Sequence, residues 1–84
     1  MSLVGALFFV GVDWAAKTHA VCVLDPAGRP VAAFPVAHTA AGFTGLIRRL
    51  AKLGTPGDVP VAIERPDGRL VDALLAAGHR VVPV

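Results

Sequence analysis

The feature that most constrains this chain is a single change of hydrophobic period near Thr39. Before it, three apolar stretches rich in β-branched or aromatic residues follow one another with short turns between them. Ala6–Val12 (ALFFVGV) is continuously apolar, as a strand buried on both faces would be. Thr18–Leu24 (THAVCVL) predicts a second strand, and Arg29–Val36 (RPVAAFPV) a third. Between these two, Asp25-Pro26-Ala27-Gly28 is turn chemistry: Pro presets one turn dihedral and Gly is free to take positive φ. Pro30 and Pro35 cannot donate to a ladder, which places the third strand at a sheet edge. After Thr39, a natural helix cap, the apolar positions Phe43, Leu46, Ile47, Leu50 and Leu53 recur at helical spacing. Gly54, Pro56 and Gly57 stop that helix. Val59–Ile63 predicts a fourth strand, and Pro66-Asp67-Gly68 turns the chain into a second helix. That helix buries Leu70, Val71, Leu74 and Leu75 and stops at Gly78, and Arg80–Val84 begins a fifth strand.

The resulting order is βββαβαβ. Short turns make the first three strands an antiparallel meander, and the two later crossovers should be right-handed. The simplest sheet places strand four beside strand one, both parallel, with strand five outside it. The predicted fold is therefore an α/β mixed sheet of order 3-2-1-4-5 with strand two antiparallel, the RNase H-like arrangement, ending after strand five.

Composition limits the alternatives. The 84 residues are 55% apolar and only 17% charged, against a usual charged share of about 25%. Disorder is excluded as the dominant state. One domain fits, with a thin core, and the apolar excess also suits part of a larger domain whose remainder covers an exposed face. Eight basic and six acidic residues give a net charge of +2, which permits a nucleic-acid partner without requiring one. A lone Cys22 cannot form an internal disulfide and suits a reducing compartment. One Cys with His19, His38 and His79 matches no zinc-ligand spacing. The apolar run Leu3–Val12 is too short to span a bilayer, which takes about 20 residues, and lacks a basic start. A cytoplasmic chain with no membrane partner is expected.

Two acids carry the chemistry. Asp13 and Glu64 each directly follow an apolar strand. If those strands are parallel neighbours, both carboxylates emerge at one carboxyl edge, where α/β sheets place their sites. Close carboxylates repel unless a cation or proton lies between them. Mg²⁺ or Mn²⁺ is the natural occupant, because a hard ion takes a few carboxylates and keeps positions for water and phosphate oxygens. Two such ions about 4 Å apart support in-line displacement at a phosphodiester. The same residues also fit plainer roles, Asp13 as a turn or cap residue and Glu64 as a solvated strand end.

These residues carry a resemblance. Gly11-Val12-Asp13-Trp14-Ala15-Ala16-Lys17-Thr18-His19, continuing into Leu24-Asp25-Pro26-Ala27-Gly28-Arg29, resembles the opening of the DEDD transposases. These are RuvC-like recombinases of insertion sequences that move through circular intermediates. Thr39-Ala40-Ala41-Gly42-Phe43 with Leu46 and Leu50 is similar to their first helix. Val61-Ala62-Ile63-Glu64-Arg65-Pro66-Asp67-Gly68 and Leu74–Val82 resemble the segment bearing their second acid. The resemblance implies that residues 1–84 are the N-terminal part of an RNase H-like catalytic domain with Asp13 and Glu64 as its first two catalytic, metal-holding acids. It further implies DNA as substrate, two later aspartates, a C-terminal domain supplying a serine nucleophile and, in some members, a guide RNA. By that account the 84 residues alone are inactive.

Lys17 is placed to reach a DNA phosphate or simply marks the first turn, and Arg65, beside Glu64, is the better candidate for such a contact. Arg48, Arg49 and Lys52 suit either a solvated helix face or the nucleic-acid backbone. Trp14 is expected half-buried, His19 packed or at an edge, and His38 and His79 in loops without partners. Two other functions compete. An actin-like sugar kinase also opens with an Asp after its first strand, but Ala15-Ala16-Lys17 is a poor phosphate cradle. A non-catalytic nucleic-acid-binding or assembly module would keep the fold alone. An uncovered sheet face and an open strand-five edge further predict a homo-oligomer.

Overall fold

The computed structural model describes residues 7–64 and 68–84. Five strands and two α-helices follow the predicted order: β1 Phe9–Asp13, β2 Thr18–Leu24, β3 Pro30–Ala37, α1 Ala40–Ala51, β4 Val61–Ile63, α2 Arg69–Ala76 and β5 Val81–Pro83. The sheet order is β3-β2-β1-β4-β5. β2 is antiparallel to β1 and β3, whereas β1–β4 and β4–β5 are parallel. This is the RNase H-like α/β arrangement.

The meander forms because its turn closes locally. Asp25 Oδ1 accepts from the Ala27 and Arg29 amides at 2.9 Å each, and Gly28 takes the positive φ of 84° that the turn requires. Helix α1 begins where Thr39 Oγ1 accepts from the Gly42 amide at 3.0 Å. Helix α2 stops at Gly78, whose φ of +93° continues no right-handed helix.

Both helices lie on one face of the sheet. Alternate residues Val10 and Val12 of β1, Val21 and Val23 of β2, and Val61 and Ile63 of β4 meet Phe43, Leu46 and Leu50 of α1 and Leu70, Val71 and Leu74 of α2 in one buried cluster. The opposite face carries small side chains and no helix among the described residues.

Several boundaries differ from expectation. Strand four begins at Val61 instead of Val59, because Pro56–Asp58 forms a 3₁₀ turn; Val59 is nonetheless fully buried. Leu75, expected in the core, is 54% exposed: α2 is only eight residues long, and Leu70, Val71 and Leu74 fill its buried stripe. Ala6, the predicted start of strand one, and Pro66 and Asp67 of the predicted turn into the second helix lie outside the described residues.

The sheet edges are blunted by their prolines. Val61 donates to Arg80 and Val84 to Ile63, so β5 turns its even-numbered backbone groups inward and Pro83 outward. On the other edge His38 donates to Lys17, and the alternation turns Pro35 outward. Each edge therefore lacks an amide where a further strand would seek one.

Gly42 offers a test of the β3–α1 junction. A Cβ there would strike the backbone carbonyl of Ala37. Gly42→Ala should therefore lower the unfolding free energy by about 1–3 kcal/mol, despite the gain of about 0.5–1 kcal/mol alanine brings to an unobstructed helix. A urea midpoint that rises in this variant would contradict the packing described.

Candidate active site

The site follows from one register. β1 and β4 pair in parallel as Val10↔Val61, Gly11↔Ala62 and Val12↔Ile63. One residue further, Asp13 ends β1 and Glu64 follows β4. Adjacent strands lie about 4.8 Å apart, and side chains alternate between faces. Because Val12 and Ile63 point into the core, Asp13 and Glu64 both belong to the opposite, open face. Both are solvent-exposed.

They sit at the rim of a shallow depression of about 450 Å³. Its floor is built from Gly11, Ala20, Cys22, Ala33 and Ala62, one small side chain after another across four strands. No Cβ-sized obstacle stands above Gly11, where an added Cβ would meet nothing within 4 Å. The result is a wide apolar bowl with two carboxylates at one end. Oxygen-only donors of this kind suit a hard divalent ion, and a pair alone leaves most of its coordination to other ligands. Among the described residues no group of three or more His, Cys, Asp or Glu is positioned to hold a metal.

Lys17 is exposed in the turn between β1 and β2 and does not line the depression. Arg65 lies outside the described residues. Cys22, half-buried on the bowl floor, is a free thiol.

The turn after Asp13 is fixed by an arrangement that the sequence reading missed. His19 is fully buried, and its Nδ1 accepts from the Ala15 amide at 3.0 Å. That role leaves the proton on Nε2, which donates to His38 Nδ1 at 2.9 Å. Trp14 packs against both imidazoles, with ring centroids 5.5 and 6.1 Å away, and Phe43 closes the cluster on His38 at 5.2 Å. His38 is thus partnered, contrary to expectation, and so is His79, whose Nδ1 lies 2.9 Å from the Val59 carbonyl. The segment between Asp13 and β2 is held to the β3–α1 junction by this histidine pair. The half-burial expected of Trp14 is what this packing produces.

The fold and the paired acids define the class: an RNase H-like α/β domain with two carboxylates at one sheet edge. The chain belongs to the IS110-type DEDD transposase family, whose family model, described as "Transposase", matches residues 10–84. It is similar to a Streptomyces coelicolor protein bearing the name of mini-circle transposase for IS117, with 36% identity over 80 residues, 90% of this chain and 19% of that one. It is also similar to a Sinorhizobium fredii protein, y4uE, named as a transposase, with 32% identity over 78 residues, 87% of this chain and 21% of that one. The chain therefore spans about a fifth of the length of the curated relatives it matches. Among the described residues no helix is long and apolar enough to cross a membrane.

The histidine cluster has a pH signature. Burial, and secondarily the neighbouring His38, lower the pKa of His19 below its usual 6.5. Below that pH the unfolded chain binds a proton that the folded chain refuses, so stability is complete above about 6.5 and falls as pH drops toward the lowered folded value. Thermal unfolding should therefore give a lower Tm at pH 5 than at pH 7, with a smaller difference in His19→Gln. An unchanged pH difference in that variant would contradict the assignment.

Proposed function

We propose that residues 1–84 are the N-terminal part of the RNase H-like catalytic domain of a DEDD transposase that binds DNA and takes part in metal-dependent strand cleavage and transfer. The observation that carries this reading is the β1–β4 register, which puts Asp13 and Glu64 on one open face at one sheet edge. Asp13 and Glu64 are the residues that would hold Mg²⁺ or Mn²⁺, and the donor set fits, since both supply hard oxygen ligands. When bound, such an ion stabilises charge on a phosphodiester and orients the attacking group. The chain's own contribution is positional. Two strands fix the carboxylates, the His19–His38 pair fixes the turn behind Asp13, and the small-residue bowl leaves room for a backbone to approach.

The same reading assigns cover of the open face to further segments of a full-length transposase, including a domain that supplies the nucleophile, with a guide RNA as a further partner in some relatives. Any homo-oligomer would form through this face and not through the β5 edge, which Pro83 blunts. Lys17 and Arg65 are the candidate phosphate contacts near the acids. A sugar-kinase reading is not favoured: the turn after Asp13 carries Trp14, Ala15, Ala16 and Lys17, and its Ala15 amide is already committed to His19.

Calorimetric titration with Mn²⁺ tests the proposal. The wild-type chain should bind one ion weakly, and Asp13→Asn or Glu64→Gln should each weaken binding about tenfold or more, consistent with loss of one charged ligand from two. Equal Mn²⁺ affinity in the wild type and both variants would overturn it.

A further inference from the structure

Charge is distributed unevenly over this small molecule. From Pro26 to Gly57 the chain has no carboxylate, yet it carries Arg29, Arg48, Arg49 and Lys52. Arg29 is bridged to Asp25 at 3.5 Å. The other three occupy the last turn and C-cap of α1. All three are exposed, and none forms an ion pair among the described residues.

A helix C-terminus favours cations, which accounts for one or two of these charges but not for the placement of Arg49. Its guanidinium lies 4.1 Å above the centre of the Phe34 ring on the neighbouring strand β3. Stacking on an aromatic face restrains the planar guanidinium while leaving its N–H edge free to grip an oxyanion. Beside it runs a cleft of about 360 Å³ with Leu50 and Leu53 on its floor and Arg49 and Lys52 at its rim. Arg48 and Lys52 are four residues apart and so separated by about 6 Å along the helix axis. These are spaced cations around one pre-set fork, with no ion pair among the described residues; Asp58, beside Gly54 just past the helix, accepts from Thr55 Oγ1 at 2.7 Å.

We infer that the C-terminal end of α1 with β3 is a docking surface for the phosphate backbone of duplex DNA. The inference rests on the reading of the chain as DNA-acting, but uses none of the residues at the acidic site. Duplex is favoured over single-stranded nucleic acid because single strands need exposed rings on which bases stack. Phe34 already stacks with Arg49 and packs on the core beneath. A regular duplex presents a dense line of charge, one per about 1.7 Å of axis. The surface lies on the helix-bearing side of the sheet, opposite Asp13 and Glu64. It therefore holds a DNA segment other than the strand at the acidic pair.

Fluorescence anisotropy with a 20-base-pair DNA duplex across a salt series tests this. Arg48→Gln/Arg49→Gln/Lys52→Gln should lower affinity at least tenfold, reduce the slope of log K against log salt by up to about three, and leave the urea midpoint and Mn²⁺ binding intact. Arg49→Lys, which keeps the charge and loses the fork, should retain the slope but bind less tightly. Asp13→Asn/Glu64→Gln should lose Mn²⁺ and keep the wild-type salt slope, which separates this inference from the metal assignment. A triple variant with wild-type affinity and slope would overturn the surface. Tighter binding of an RNA duplex of equal length would overturn its assignment to DNA.

Discussion

The parallel pairing of β1 with β4 is the contact on which the rest of this structure depends. It joins residues far apart in sequence, Val10–Val12 with Val61–Ile63, and it is enforced by burial: Val61 and Ile63 are fully buried, and Val10 and Val12 nearly so. A slip of one residue in either strand would turn that strand's side chains out of the core and flip its acid onto the helix-bearing face, separating the pair. The same hydrophobic alternation that closes the core therefore sets the position of Asp13 relative to Glu64. Stability and site geometry are one constraint here.

Around that contact the molecule is two-sided. One face of the sheet is covered by α1 and α2 and filled with Val, Leu, Ile and Phe. The other is floored with Gly, Ala and Cys and carries the acids. Small residues on an open face bury little by themselves, yet they let another backbone approach closely. Outward-facing Pro35 and Pro83 withhold amides at the edges, which disfavours edge-to-edge pairing. The histidine pair ties the two sides together, since it anchors the turn leaving Asp13 to the start of α1.

Much of this was legible in the sequence because period and punctuation agreed. The change from strand to helix period at Thr39, the Asp25–Gly28 turn and the edge prolines led to the observed order. An acid placed directly after each of two apolar runs marked Asp13 and Glu64. The histidine pair was not legible, for a specific reason. Extending the β2–β3 ladder straight from its turn does not give the true register, because it shifts between Val23 and Leu24. Only with that shift does His19 oppose Val36 and bring His38 within diagonal reach on the same face. Leu75 was misplaced because spacing alone does not reveal how few residues a short helix can bury. The Arg49–Phe34 stack likewise needed the packing of α1 on β3, which no local pattern encodes.

The central claim is that one register brings Asp13 and Glu64 together to hold a divalent ion. It is tested most directly by paramagnetic relaxation in the ¹⁵N spectrum of the chain on adding Mn²⁺. Broadening should be strongest at the amides of Asp13 and Glu64 and of Ala20 and Val84 beside them, and weaken with distance toward the C-terminal end of α1. Broadening centred on Asp58 or Asp72, or spread evenly over all exposed carboxylates, would contradict it.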